Sequence, residues 1–339
     1  MKTYLYKNYY PNKFTQNLPC IGFDLDWTLI KTKSGRVFPK SVDDWQWFDP
    51  IVPKILNQIQ DKVIVIYSNQ MGVSKNKVKK EDVLEKIDQI YQSLGCPFIF
   101  IAATHDDKLR KPRIGMWRKV QKKLKIKLLL DGSAYVGDMA GRAKDKRSSD
   151  REFALNLNIS FHTPEEYFLG EEVRTWSIDG YDVNNHDIKS TLALPYDSDI
   201  ILLMGYPGSG KSTLAKNYFT DYFHLSQDEY KTRLMKVTKE KISQKIIIEG
   251  VFYSQKQRKV FIDLAKQFNK KIILVKIDIP IELAQHLNKF RGLKTGSSIP
   301  IVVYRVYQKR FQEPKMEEGF DEIHSIVPEY DNKLFKYYL

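Results

Sequence analysis

No stretch of this chain approaches the roughly 20 consecutive apolar residues of a membrane span, so a membrane-embedded protein is not expected. Cysteine is nearly missing: Cys20 and Cys96 are the two. Thiols this few and this far apart in sequence build neither a disulfide framework nor a zinc site, and both are expected to be small buried hydrophobes. The opening residues, Met1-Lys-Thr-Tyr-Leu-Tyr-Lys, hold no apolar leader core, so a soluble, intracellular chain is expected. Internal repeats and low-complexity tracts are lacking, which excludes solenoids and biased-composition tails. Acidic residues are in deficit, with 41 Asp and Glu against 55 Lys and Arg, a net charge of +14. That excess favours a polyanionic partner such as nucleic acid, although part of it is plain lysine enrichment in helix-like stretches such as 75–86.

What is present divides in two. A length of 339 residues exceeds one average domain. The clearest motif opens the second half. An apolar run suited to a buried strand, Ile200-Ile-Leu-Leu-Met, leads into Gly205-x-x-x-x-Gly210-Lys211-Ser212, and a helix-compatible run, 213–218, follows. This spacing in this context predicts a P-loop. Its glycines let backbone N–H groups curl around phosphate oxygens. Lys211 supplies a point charge for the outer phosphates and Ser212 a hydroxyl for Mg²⁺. The nucleotide-binding set is therefore Gly205, Gly208, Ser209, Gly210, Lys211, Ser212 and Thr213.

Upstream, strands and helices alternate. Cys20-Ile-Gly-Phe, Val63-Ile-Val-Ile-Tyr, Phe98-Ile-Phe-Ile-Ala-Ala and Ala134-Tyr-Val-Gly predict strands, and 79–94 and 115–124 predict helices. Residues 1–19 read as an irregular segment or an edge strand. Alternation of this kind implies an α/β fold with a parallel sheet, whose ligands bind beyond the carboxyl ends of the strands. Asp24, Ser68 and Asp138 each fall at such an end, and Lys111 lies in the loop after the third strand. Hydrophobic periodicity fades between 170 and 198, where 179–187 reads as a loop punctuated further on by Pro195. The expected division is 1–170, a linker at 171–198, and 199–339. In the second half 223–225, 245–248 and 272–278 predict further strands, and 286–291 with 297–310 a basic helical region.

Asp24 and Asp26, two apart at a strand end, can face one crevice. One carboxylate can attack a phosphoryl group while the other protonates the leaving oxygen and then activates water. Mg²⁺ suits such a site; Asp24 and Asp138 offer side-chain ligands and Asp26 a carbonyl. Ser68 can hydrogen-bond the phosphate and Lys111 can neutralise its charge. Asp145 reads as part of a solvated loop, and Asp150 as either a loop residue or a further acid of the site.

These four segments in order resemble the haloacid dehalogenase phosphotransferase superfamily. The resemblance implies an aspartate nucleophile, Asp24, an acid/base, Asp26, a phosphate-binding Ser68, Lys111 and a metal-binding Asp138. Gly22-Phe-Asp-Leu-Asp-Trp-Thr, Ser34-Gly-Arg-Val-Phe-Pro, Ser68-Asn-Gln-Met-Gly, Arg110-Lys-Pro and Val136-Gly-Asp-Met-Ala-Gly-Arg further resemble the phosphatase half of polynucleotide kinase 3′-phosphatases, and with the P-loop domain that follows in the same chain the resemblance covers about residues 20–325. The phosphopeptide-binding domain that precedes the phosphatase in many of those enzymes is not expected to be part of this sequence. Trp27 stands where that family usually has glycine.

In the second half Asp228 matches the family's general base. Lys289 and Arg291, within Ala284-x-His286-x-Asn288-Lys-Phe-Arg, match its lid and are the candidates for the ATP phosphates. His286 reads equally well as a packing residue. Gln227 replaces a basic residue, and Glu249-Gly-Val-Phe252 replaces Asp-Asn-Thr-Asn. The resemblance implies a monomeric, bifunctional end-healing enzyme of DNA strand-break repair. It would use Mg²⁺ and ATP on nucleic-acid ends, DNA before RNA, ahead of a ligase. Two other readings stay open: a small-molecule phosphatase fused to a metabolite kinase, and a strand-break binding protein with a degenerate kinase.

Overall fold

The computed structural model describes residues 3–185, 188–193 and 196–339. Pro195, and His186 and Asp187 of the expected loop, lie outside the described residues. The chain forms two units, one of Met1–Asp182 with Tyr337–Leu339 and one of Val183–Lys336.

The first unit runs β1 (Tyr4–Asn8), β2 (Leu18–Phe23), the short pair β3 (Ile30–Lys31) and β4 (Gln46–Trp47), α1 (Val52–Asn57), β5 (Val63–Asn69), α2 (Lys80–Leu94), β6 (Ile99–Ala103), α3 (Gly115–Leu124), β7 (Leu128–Val136), α4 (Ser149–Leu157), β8 (Ser160–His162) and α5 (Pro164–Leu169). Its main sheet has the order β1-β6-β5-β2-β7-β8. All neighbours are parallel except β1, which pairs antiparallel with β6 at one edge. The N-terminal segment therefore takes the edge-strand alternative.

The central strands β2, β5 and β6 are largely apolar and buried because both faces of the sheet are covered there. Side chains alternate between the faces with period two. Ile64 and Ile66 of β5, with Phe100 of β6, join one core together with Val83, Ile87, Ile90 and Leu94 of α2. Val63, Val65 and Tyr67 of β5, with Ile99 and Ile101 of β6, join the other together with Met116, Trp117 and Val120 of α3. Gly95 ends α2 in the left-handed conformation that suits a glycine just past a helix. Strand β7 begins six residues before the expected Ala134, because Leu128 and Leu129 already pair with Leu18 and Pro19 ahead of a register shift. Cys20 is buried as expected, whereas Cys96 is half-buried, since it lies in the turn between α2 and β6 rather than in a strand.

The second unit runs β9 (Ile200–Gly205), α6 (Lys211–Tyr218), β10 (Phe223–Ser226), α7 (Gln227–Tyr230), α8 (Leu234–Glu240), β11 (Ile246–Gly250), α9 (Gln255–Gln267), β12 (Ile272–Ile277), α10 (Ile281–Thr295), α11 (Ile301–Arg310) and β13 (Glu322–Ile326). All five strands are parallel, in the order β10-β11-β9-β12-β13. The basic segment 286–291 proves to be the middle of the longer α10. Strand β13 carries no clear sequence signal; its Glu-Ile-His-Ser-Ile is half polar because it is an edge strand.

In both sheets the chain reverses direction beside one central strand. It leaves β2 towards β5 and later crosses to β7; it leaves β9 towards β10 and β11 and later crosses to β12. Such switch points open a crevice at the carboxyl end of the central strand. Asp24 follows β2, and the Gly205-to-Gly210 turn follows β9.

Candidate active sites

In the first unit three carboxylates converge. Ligand oxygens of Asp24, Asp138 and Asp150 all lie within 4.8 Å of one another. Lys111, buried, stands among them, with Nζ 2.7 Å from Asp24 Oδ1 and 2.8 Å from Asp150 Oδ1. Its third N–H meets the Tyr135 hydroxyl at 2.7 Å. An ammonium has three protons, so Lys111 is fully satisfied. The backbone of Lys111 is clamped as well: its N–H donates to Asn69 Oδ1 at 3.0 Å, and Asn69 Nδ2 donates to its carbonyl at 3.2 Å.

The charges explain the protonation behaviour. Burial disfavours charge on Lys111, but Asp150 and Asp24 outweigh it and raise the lysine above its ordinary value. Burial, then the charges of Asp150 and Asp24, push Asp138 up to about 9. Burial also raises Asp150 to about 6, against the pull of Lys111, and raises Asp24. One lysine does not balance three carboxylates. Asp138 Oδ1 is also buried with no hydrogen-bond partner among the described residues. A hard divalent cation with oxygen ligands fits this donor set.

The loop that carries Asp138 is held from several sides. Met139 N donates to Asp150 Oδ2 at 3.0 Å, and Arg142 Nη2 donates to the Asp138 carbonyl at 2.9 Å. Asp145 is not solvated: its side chain accepts from Ala140 N, Arg142 N and Arg142 Nε, and it is 6% exposed. The loop folds back over this carboxylate because its own amides need an acceptor. Gly137 is required for close approach, since a Cβ there would lie 2.5 Å from Asp150 Oδ2.

Ser68 is buried at the end of β5. Gln70 bridges it to Asp26: Nε2 lies 2.9 Å from both Ser68 Oγ and Asp26 Oδ2. Trp27 has φ +61°, a left-handed conformation uncommon for a bulky residue, and its N–H closes a turn on the Ile30 carbonyl at 2.7 Å. The site thus joins Asp24, Asp26, Ser68, Lys111 and Asp138. It adds Asn69, Gln70, Tyr135 and Asp150, to which the sequence assigns no definite role. Tyr135 has no local signal at all, being one aromatic within a buried strand.

In the second unit Gly205, Gly208, Ser209 and Gly210 form the turn from β9 into α6, and Lys211, Ser212 and Thr213 open the helix. The turn is buttressed from outside. Tyr304 OH donates to the Pro207 carbonyl at 2.8 Å and Tyr330 OH to the Ser209 carbonyl at 2.9 Å. Lys211 Nζ donates to the carbonyls of Gly205 and Tyr206 at 3.0 and 2.7 Å, so the lysine curls into its own loop. Burial lowers it to about 8, against the charges of Glu249 and Asp228. Ser212 Oγ donates to Glu249 Oε1 at 2.8 Å. Burial pushes Glu249 up, but His224 Nε2, 3.3 Å from Oε1, and the Ser212 hydrogen bond leave it below its ordinary value.

Asp228 is exposed on α7, near enough for its charge to act on Lys211, and Arg291 opposes it there. Arg291 Nη2 donates to Asn288 Oδ1 at 2.9 Å, while Asn288 also fastens both backbone groups of Ile299. Lys289 is exposed on the same helix. His286 packs: its Nε2 is 2.7 Å from the Leu334 carbonyl and its ring stacks on Phe335.

These features define a haloacid dehalogenase-type phosphatase unit followed by a P-loop kinase-type unit. The family model described as "Polynucleotide kinase 3 phosphatase" matches residues 19–168, and one described as "AAA domain" matches residues 200–246. A protein of Schizosaccharomyces pombe named "Bifunctional polynucleotide phosphatase/kinase" is 36% identical over 321 residues, 90% of this chain and 79% of that one. The Saccharomyces cerevisiae "Polynucleotide 3'-phosphatase" is 31% identical, covering 44% of this chain and 87% of its own length. The chain belongs to the polynucleotide phosphatase/kinase family.

Proposed function

We propose that this protein heals nucleic-acid ends, removing 3′-phosphates and phosphorylating 5′-hydroxyls with ATP. The observation that carries the first activity is Lys111 bridging Asp24 and Asp150 with Asp138 alongside. That constellation has no structural purpose that a smaller apolar set would not serve at lower desolvation cost.

In the first unit Asp24 attacks the terminal phosphorus, and an aspartyl phosphate forms as the 3′-oxygen leaves with a proton from Asp26. Asp26 then takes a proton from water, which attacks the phosphoaspartate, releases phosphate and restores Asp24. Gln70 keeps Asp26 aligned with Ser68, whose hydroxyl donates to the phosphate. Lys111 holds Asp24 in place and offsets the charge of the transferring group. Asp24, Asp138 and the Asp26 carbonyl would hold Mg²⁺, with Asp150 nearby. Bound there, it would neutralise the carboxylates and the phosphate oxygens.

In the second unit Lys211 exchanges its loop carbonyls for ATP phosphate oxygens, and bound phosphates favour its charged form. Ser212 would hold Mg²⁺ beside Glu249. Asp228 accepts the proton of the attacking 5′-hydroxyl, and Lys289 and Arg291 offset charge on the nucleotide. The products, a 3′-hydroxyl and a 5′-phosphate, are what a ligase joins. DNA strand breaks are the proposed substrate, RNA ends the second, and the enzyme acts as a monomer. Among the described residues no helix is long and apolar enough to cross a membrane.

The test is a labelled, nicked duplex bearing a 3′-phosphate and a 5′-hydroxyl, incubated with Mg²⁺ with and without ATP. Loss of the 3′-phosphate in both, and a 5′-phosphate with ATP alone, are expected. Asp24→Asn should abolish the first reaction and Lys211→Ala the second. No change at either end, with turnover of small phosphate esters, would replace this reading with the metabolite one.

A further inference from the structure

The loop that delivers Lys111 to the phosphatase site continues directly into α3, and this stretch is unlike the rest of the chain. Residues 108–127 contain ten Lys and Arg and no Asp or Glu. Two of the ten are accounted for: Lys111 belongs to the site, and Arg113 pairs with Asp106. Beyond them, Arg118, Lys122, Lys123, Lys125 and Lys127 are exposed. No carboxylate pairs with Arg118, Lys119, Lys122 or Lys123 among the described residues. Arg118 instead donates to the Tyr337 hydroxyl at 3.4 Å. Lys119 and Lys123 lie over the rings of Tyr4 and Tyr6 of β1, at 4.9 and 5.5 Å from the centroids.

This pattern works against the helix that carries it. Arg118 and Lys122, and Lys119 and Lys123, are like charges four residues apart, and such pairs destabilise a helix. Lys122 and Lys123 suit the negative end of the helix dipole, but Arg118 and the arginines ahead of α3 lie towards its positive end. Helix stability therefore does not explain the run. Met116, Trp117 and Val120 anchor the opposite face in the core, so the cations are held outward on a rigid element. From Arg118 to Lys123 the helix rises about 7.5 Å, roughly two nucleotides along one strand, and long Lys and Arg side chains reach beyond that span on either side.

We propose that the exposed face of α3 is a track for the phosphodiester backbone of the strand whose 3′ end enters the Lys111 site. This rests on the 3′-phosphatase reading. The four side chains Arg118, Lys119, Lys122 and Lys123 meet successive backbone phosphates and read no base. They hold the duplex arm upstream of the end and leave the chemistry to the crevice.

The full chain and a quadruple variant with Arg118, Lys119, Lys122 and Lys123 each changed to Gln are compared on two 3′-phosphorylated DNAs. One is a dinucleotide, too short to reach α3, and the other a duplex of about a dozen pairs. The ratio of kcat/KM on the long substrate to that on the short one should fall at least about tenfold in the variant. The salt dependence on the duplex should also flatten, by about 0.9 in log–log slope for each backbone phosphate that is no longer neutralised. Matching thermal unfolding of the two proteins shows that the variant folds. An unchanged ratio and slope, with the wild type cleaving both substrates, overturns the track and leaves the phosphatase standing. A wild type that cleaves neither overturns both.

Discussion

The amide of Val251 donates to Gln227 Oε1 at 3.1 Å, and a Cβ on Gly250 would lie 2.5 Å from that same oxygen. Two departures from the family pattern, Gln227 ahead of Asp228 and Gly250 after Glu249, therefore fit each other. Gln227 holds the loop behind β11 through a side-chain acceptor, and the glycine leaves it room. Gly250→Ala should force Gln227 and Phe252 aside and destabilise the second unit by about 1–3 kcal/mol. Adding Gln227→Ala should recover part of that loss. A double-mutant cycle by denaturant unfolding should return a coupling above about 0.5 kcal/mol, and strict additivity would deny the link.

Tyr135→Phe removes the third acceptor of the Lys111 ammonium and leaves one buried N–H unsatisfied. The penalty is about 1–3 kcal/mol. Phosphatase kcat should drop on the order of tenfold, with KM little changed, because Lys111 would lose its aim rather than the substrate its pocket. Equal losses of 5′-kinase activity would instead point to general unfolding.

Stability of the metal-free protein should fall as pH rises. Asp138 and Asp150 are raised from 3.8 to about 9 and about 6 in the folded state, so the folded chain binds more protons than the unfolded one across that range. Stability then decreases with pH through the window between about 4 and 9. A divalent cation needs these carboxylates ionised. The gain in Tm from added Mg²⁺ should therefore be larger at pH 8 than at pH 5, and the reverse order would remove the cation from this cluster.

Arg258 is wholly buried and binds Glu318 through two nitrogens, at 2.6 and 2.8 Å, while its Nη1 donates to the carbonyls of Phe252 and Gln312 at 3.0 Å each. It ties the loop behind Glu249 to the tail of the second unit. Glu318→Gln should cost about 3–5 kcal/mol, since it leaves the guanidinium buried without its counter-charge. Calorimetry should show one transition lowered while 3′-phosphatase activity persists at temperatures where the kinase is lost.

Asp24, Asp26, Ser68, Lys111 and Asp138, and the turn from Gly205 to Ser212, were legible in the chain itself. Strand ends and glycine spacing are local: the carboxyl end of an apolar run fixes where a crevice lies, and a P-loop is built from consecutive residues. The long strands β5, β6 and β9 were legible for the same reason, being continuous apolar runs. Tertiary structure alone decided the rest. It chose Asp150 as the second partner of Lys111, Tyr135 as the third, Gln70 as the bridge between Asp26 and Ser68, and Tyr304 and Tyr330 as the props of the P-loop. It also turned Asp145 inward and returned Tyr338 to Asn156 in the first unit, through bonds of 2.8 and 3.0 Å. Apart from the turn around Asp145 and the Gln70–Ser68 bond, which are local, these pairings join residues whose meeting depends on sheet order and helix placement, and buried polar groups must find partners wherever the fold brings them. The sequence specifies which groups need a partner. Only the assembled fold settles which partner is within reach.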